Sequence, residues 1–252
     1  MTLGAVVFDL DGTLCHHGQP VHESMIELLF RFKRDVIPNG KIIIATASSF
    51  ESTKTRLGAA AALVDFYHCN LGTRVYDLSN RLIRTATPRT LSPAVMRILE
   101  EARFESEFPM KSSPCVAARP PYYSFSVVGK NYPPEYRDRY IRHDRLTNER
   151  NEIVRRINVS QHSWIARRGG QTGIDLVPVG YGKEHVYKDL EGATFAFVGD
   201  DMSPGGGDHS LKREMMRDGL HRYVWDVSSE SPGISVHLAY TILENEIANL
   251  SK

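Results

Sequence analysis

The sequence predicts an α/β protein, a Rossmann-like parallel sheet with crossover helices, interrupted by an inserted α+β module. Three observations carry this. Apolar runs such as "AVVFDL" and "KIIIAT" alternate with helix-like segments near the start of the chain. The alternation changes character in the middle, where charged helices and short strands mix. It then resumes at "ATFAFVGDD". Strand–helix–strand–helix order is the signature of a parallel sheet, and continuous apolar strands fit one covered on both faces. The expected boundaries are 1–85 for the first part of the core, 86–178 for the inserted module and 179–252 for the rest of the core.

Each element follows from spacing. In "VHESMIELLFRFKRDV" the apolar residues Met25, Leu28, Leu29 and Phe32 recur at helical intervals. "KIIIAT" reads as a strand ending at Thr46, and "FESTKTRLGAAAALV" as the helix after it. In the insert, "LSPAVMRILEEARFESE" reads as a helix with Ser92 as its cap and Pro93 at its first position. "YYSFSVVG", "SWIARRG" and "GIDLVPV" read as strands. "PPEYRDRYIRHDRLTNERNEIVRRI" reads as one long, highly charged amphipathic helix.

Bulk properties exclude several classes. The formal net charge of +1 gives no pull toward nucleic acid or an acidic membrane. No apolar run approaches a membrane span, and no signal-peptide pattern is visible, so the cytoplasm is the expected compartment. The three cysteines, Cys15, Cys69 and Cys115, are scattered and odd in number, which argues against a disulfide framework. "CHH" at 15–17 lacks a second cluster to complete a metal site and reads as loop.

Chemistry gathers where strands end, which is where open parallel sheets place their ligands. The first strand delivers Asp9 and Asp11, the second Thr46, and the returning one Asp200; Lys183 precedes a helix-like stretch. Each has a bland reading alone, as turn, cap or surface charge. Together they suit phosphoryl transfer. An aspartate can attack phosphorus and divide the reaction in two. Its repulsion from the phosphate calls for Mg2+, a hard cation that takes carboxylate and carbonyl oxygens. Asp9, Asp200 and the carbonyl of Asp11 can supply them, and Asp208 brings a further carboxylate. A second aspartate can move a proton to and from the leaving oxygen.

These residues resemble a known superfamily. "FDLDGT", "ATAS", a glycine-preceded lysine and "GDD…GD" look like the four motifs of the haloacid dehalogenase superfamily, and the insert resembles its C2-type cap. The resemblance implies Asp9 as nucleophile, Asp11 as acid/base, Thr46 and Lys183 as phosphate binders, and Asp200 as a metal ligand. Asp208 is a further metal-site candidate with two readings, as a direct ligand or as a residue behind the ion that orients its waters. Three further segments resemble the eukaryotic-type phosphomannomutases: "GDDMSPGGGDH" their GDKTxPGGNDxE, "GGQTGIDLVPVGYGKEH" their GGxxSFDVFPxGWDK, and "RPPYYSFSVVGK" their RNGMLNVSPIGR. Arg119, Ser126, Lys130 and Asp175 are then the candidates for the distal phosphate and sugar hydroxyls. The expected activity is interconversion of mannose 6-phosphate and mannose 1-phosphate. The alternative is a phosphatase acting on a sugar phosphate or another small phosphomonoester. The resemblance also implies a homodimer formed through the cap, and hinges near 84–88 and 178–182.

The departures fall in the cap. Lys130 stands where the family has arginine, which removes a bidentate fork. Pro120 and Pro121 replace Asn-Gly, Ser124 replaces Asn, and Gly173 replaces Ser. An upstream arginine has no clear equivalent, although Lys111 lies nearby. In the glycine loop Gly207 replaces Asn and Asp201 replaces Lys, so Asp201 reads as a turn residue. Gly205 to Gly207 are expected to let the backbone turn close to the metal.

Overall fold

The computed structural model describes residues 3–160, 163–190, 192–229 and 234–249. These divide into two compact units. The first comprises Met1–Thr85, Gly182–Ser203 and Asp208–Lys252; the second comprises Ala86–Tyr181 and Pro204–Gly207.

The first unit is built on a seven-stranded sheet. In chain order its strands are β1 (Ala5–Phe8), β2 (Lys41–Ala45), β3 (Phe66–Cys69), β4 (Arg74–Asp77), β5 (Leu82–Thr85), β10 (Phe195–Gly199) and β11 (Val224–Asp226). Across the sheet the order is β11-β10-β1-β2-β3-β4-β5. The neighbours from β11 to β3 are parallel, and β4 and β5 add an antiparallel edge. Strand β1 therefore lies between β2 and β10, where the order reverses.

Both faces of the sheet are covered at its centre, so β1, β2 and β10 are almost wholly apolar rather than alternating. Val6, Phe8, Ile42 and Ile44 join one cluster, which takes in Met25, Leu28, Leu29 and Phe32 of helix α1 (Glu23–Asp35) and Ala239 and Leu243 of α7 (Ile234–Asn249). Ala5, Val7, Ile43, Phe195 and Phe197 join the other, with Leu211 and Met215 of α6 (His209–Arg217). Helix α2 (Phe50–Leu57) starts at the Ser49 cap and runs into a 3-10 segment at Gly58–Leu63. The predicted single helix over this stretch thus tightens halfway, at Gly58.

The second unit carries a four-stranded antiparallel sheet of order β6-β7-β9-β8, made of β6 (Val116–Arg119), β7 (Tyr122–Phe125), β8 (Trp164–Gly169) and β9 (Gly173–Pro178). Helix α3 (Pro93–Glu105) starts as its spacing predicts, with Ser92 accepting from Val95 N–H and Pro93 in the first turn. The long charged helix is two: α4 (Pro134–Thr147) and α5 (Glu149–Ser160). They part at Asn148, which adopts the left-handed conformation at φ 57°, a position asparagine tolerates better than most residues. Val95, Leu99, Ala102, Tyr140, Ile153 and Ile157 from the helices meet Phe125, Trp164, Ala166, Ile174 and Leu176 on one face of the sheet.

The opposite sheet face carries a polar row. Registers Ala117↔Ser124, Ser124↔Asp175 and Arg167↔Asp175 place Ser124, Asp175 and Arg167 in one row.

No helix among the described residues is long and apolar enough to cross a membrane. Leu99 is fully buried in the second unit's own core. Leu99→Ala should therefore cost about 2–5 kcal/mol in the transition of that unit, read by urea unfolding.

Candidate active site

The strand order explains how residues far apart in sequence meet. β1 and β10 pair with Phe8 opposite Val198, and Asp9 N–H donates to the Val198 carbonyl at 2.9 Å. Asp9 and Asp200 thus leave neighbouring strands side by side. Thr46 leaves β2 on the other flank of β1; its amide donates to the His68 carbonyl and its hydroxyl accepts from Ser48 N–H at 3.1 Å.

Asp9, Asp200 and Asp208 bring carboxylate oxygens within 4.8 Å of one another. Lys183 enters the cluster from the start of a 3-10 segment, Lys183–Asp189. Its Nζ lies 2.6 Å from Asp9 Oδ1 and 2.6 Å from Asp208 Oδ1. The other oxygen of Asp208 accepts from Asp201 N–H at 3.0 Å, while Asp208 N–H donates to the Asp201 carbonyl. That pair of bonds closes the 201–208 loop at its base. Two glycines make the close approach possible: a Cβ at Gly12 (φ +86°) would fall 2.1 Å from Asp200 Oδ2, and one at Gly199 would fall 2.6 Å from Asp208 Oδ2.

Charge is unbalanced here. Burial raises the Asp9 carboxyl above its ordinary range; Lys183 opposes this, and the Asp208 and Asp11 charges add to it. Asp200 is raised by burial and by the charges of Asp9 and Asp208. Burial alone would lower Lys183, but Asp208 and Asp9 hold it above its usual value. Three carboxylates thus share one ammonium. A hard divalent cation, which would let Asp200 and Asp9 ionise together, fits this donor set.

Asp11 points into a different set of partners. Arg56 from α2 donates Nη2 to Asp11 Oδ1 at 2.7 Å and Nη1 to Oδ2 at 2.9 Å. Gly18 N–H donates to Oδ1 at 2.9 Å, and the Ser48 hydroxyl to Oδ2 at 3.2 Å. Burial would raise this carboxyl, but the hydrogen bonds and charge of Arg56, with Gly18 N–H, hold it below its ordinary value. Sequence reading missed Arg56. The signal was present in α2, where Phe50, Thr53 and Arg56 recur every three residues and all are buried.

The remaining candidates lie in the second unit, where the charges of Arg119, Lys130 and Asp175 interact. Lys130 Nζ donates to Ser124 Oγ at 2.8 Å, and burial lowers the lysine, an effect the Asp175 charge opposes. Arg119 Nη1 reaches the Tyr122 hydroxyl at 3.4 Å. Ser126 donates its hydroxyl to the Thr172 carbonyl at 3.0 Å. Asp175 sits over Gly169, where a Cβ would fall 2.3 Å from its Oδ2. Arg167 on β8, absent from the sequence-derived candidates, shares its row. Lys111 does not replace the missing arginine: its Nζ donates to the carbonyls of Arg103 and Ser106 and caps the end of α3. Pro204–Gly207 groups with the second unit, and the Gly205 carbonyl accepts from Arg168 N–H at 2.8 Å.

A family model described as eukaryotic phosphomannomutase matches residues 32–219. The chain belongs to the eukaryotic phosphomannomutase family. A phosphomannomutase from Babesia bovis is 24% identical over 220 residues, covering 82% of this chain and 87% of its own. A probable phosphomannomutase from Caenorhabditis elegans is also 24% identical, over 225 residues and 82% and 85% of the two chains. Among solved structures, the C-terminal domain of Candida albicans trehalose-6-phosphate phosphatase superposes with a TM-score of 0.60 at 13% identity, over 97% of this chain and 91% of that one. A haloacid dehalogenase-like hydrolase from Bacteroides thetaiotaomicron superposes at 0.50 and 14% identity, over 84% and 85% of the two chains. The fold is that of the haloacid dehalogenase superfamily, core plus cap domain. This member of the phosphomannomutase family is an enzyme of the phosphotransferase or phosphatase type.

The far end of the Lys183 segment is fixed by charge. Arg84 holds Asp189 with two contacts, at 3.2 and 2.9 Å, and buried His68 brings Nε2 within 2.6 Å of Asp189 Oδ2. Burial would raise the Asp189 carboxyl, but His68 and Arg84 hold it at about 2. A carboxyl depressed on folding stabilises above its unfolded value, and the gain fades as pH falls through the folded one. Asp189→Asn should therefore be less stable than wild type at pH 5, with the gap closing toward pH 2, measured by urea titration across that range.

Proposed function

We propose that this protein transfers a phosphoryl group on a sugar phosphate through an aspartyl phosphate on Asp9, interconverting mannose 6-phosphate and mannose 1-phosphate. The observation that carries this is the buried Asp9 carboxylate held by Lys183 beside Asp200, with a second aspartate two residues along. In the first step an Asp9 oxygen bonds to phosphorus, the bond from phosphorus to the sugar oxygen breaks, and Asp11, protonated once it has left Arg56, gives that oxygen its proton. In the second step the acceptor hydroxyl returns a proton to Asp11, its oxygen takes the phosphorus, and the Asp9 ester breaks. Lys183 offsets negative charge, and Thr46 with nearby amides holds phosphoryl oxygens.

Mg2+, held by the carboxylates of Asp9 and Asp200 and the Asp11 carbonyl, would supply the charge that lets carboxylate and phosphate approach. Both Asp208 oxygens already have partners, Lys183 and Asp201 N–H, which supports a role behind the ion, orienting its waters. Arg119, Ser126, Lys130 and Asp175 would receive the distal phosphate and sugar hydroxyls.

A phosphatase, with water as acceptor, is the second reading. What favours it is the cap-domain chemistry: lysine on Ser124 in place of an arginine fork, and Lys111 spent on a helix end.

Phosphorus NMR with mannose 1-phosphate, Mg2+ and a catalytic sugar bisphosphate separates the two. Conversion to the 6-phosphate is expected, and free phosphate alone would favour the phosphatase. Asp9→Asn should be inactive in the same tube. Lys130→Ala should raise KM for a sugar phosphate about ten-fold or more, as loss of a charged hydrogen bond implies, while changing KM for a small aryl phosphate little. Equal effects on both would remove Lys130 from the distal site.

A further inference from the structure

Asp11 is saturated. An ionised carboxylate offers about four acceptor directions, and all four are used by Gly18 N–H, both Arg56 Nη groups and the Ser48 hydroxyl. In this arrangement the carboxylate has no lone pair left for the proton of an acceptor hydroxyl or of water. To exchange a proton it must give up a partner.

Arg56 is built to stay behind when that happens. Its Nε donates to the Gln19 carbonyl at 3.0 Å and its Nη2 to Cys15 Sγ at 2.9 Å, contacts independent of Asp11. Its Nη1 also reaches Ser48 Oγ at 3.3 Å, so the two partners of Asp11 brace each other. Only 9% of Arg56 is exposed, which makes its charge costly without a counter-ion and draws Asp11 back.

We propose that Arg56, assisted by Ser48, is a positioning residue that latches Asp11 in a resting station and so protects the phosphorylated enzyme from water. The inference rests on the phosphotransfer reading above. Hydrolysis of the Asp9 ester requires a base. Water gives one proton to Asp11 and its oxygen bonds to phosphorus; the Asp9–phosphorus bond breaks, leaving the Asp9 carboxylate and inorganic phosphate that keeps the second water proton. A latched Asp11 cannot take that proton. A transferase gains from this, because its intermediate survives until a sugar acceptor arrives.

The test is the lifetime of the phosphoenzyme, formed from p-nitrophenyl phosphate with Mg2+, separated from substrate and followed by acid quench. Arg56→Gln should shorten it about ten-fold, the shift in availability expected when a bidentate charged contact is lost. Ser48→Ala should shorten it less, in the same direction, and carries the test alone if Arg56→Gln does not fold. In an Asp11→Asn background neither change should alter the decay. A merely structural arginine would leave the lifetime unchanged or disturb it equally with and without Asp11, and either result overturns the latch. A wild-type enzyme that forms no Asp9-dependent phosphoenzyme overturns the phosphotransfer reading and the latch with it. A phosphoenzyme whose lifetime ignores Arg56 and Ser48 overturns the latch alone.

Discussion

The ammonium of Lys183, held 2.6 Å from both Asp9 and Asp208, is the contact on which the site depends. Burying three carboxylates together is unfavourable unless something positive is buried with them. Lys183 does this from 174 residues beyond Asp9, so the ion pair also ties the returning part of the chain to the first strand. The lysine gains its direction from a short 3-10 segment anchored at its far end, where Asp189 meets Arg84 and His68. One end of that segment faces the acidic cluster, and the other is locked to β5 and β3 of the same sheet. Few side-chain freedoms remain between sheet and ammonium, which is what a site working by fixed charge requires.

The two glycines beside the cluster answer the same constraint from the backbone. Gly12 and Gly199 lie where any Cβ would collide with Asp200 or Asp208. Carboxylates can crowd this closely only because the main chain opposite them carries no side chain. The "DG" of the first strand end and the "GD" of the returning one are therefore a steric requirement of the cluster as well as turn residues.

Much of this was legible in the sequence because strand ends are legible. Apolar runs ending in Asp9, Thr46 and Asp200 have a period and a terminus, and parallel order brings their ends to one edge. Arg56 lacks such a marker. An arginine on a helix reads as a surface charge, and only its three-residue spacing from Thr53 and Phe50 hints that it turns inward. The antiparallel edge β3–β5 went unread because "FYHC", "RVYD" and "LIRT" are four-residue strands of mixed polarity, too short for a period to show. The break at Asn148 was hidden for the opposite reason: charged helical spacing continues on both sides, and one left-handed residue suffices to part α4 from α5. The glycine loop had the right composition for a turn, but its Gly205 carbonyl bonds the backbone of β8, a pairing no local pattern announces.

The changes in the cap domain bear on how the chemistry above would be shared between sugar and water. An arginine fork binds phosphate in a defined plane, whereas a lysine is a point charge that sets no plane. Lys130 is half-buried and tethered to Ser124 Oγ, with Asp175 opposite Ser124 in the register. As the proposed phosphate site, this group would recognise charge more than shape. A mutase must hold its bisphosphate in both of two orientations, so an anion site indifferent to orientation is compatible with that task, though it holds less firmly. Under the proposed reaction, weaker holding would lengthen the time for which a phosphorylated Asp9 waits for its acceptor. The longer that wait, the more depends on keeping a base away from water, and the proposed latch of four donors around Asp11 would do this when no substrate is bound. The loosened cap chemistry and the latched aspartate are in this sense complementary: the second limits the loss that the first would otherwise allow.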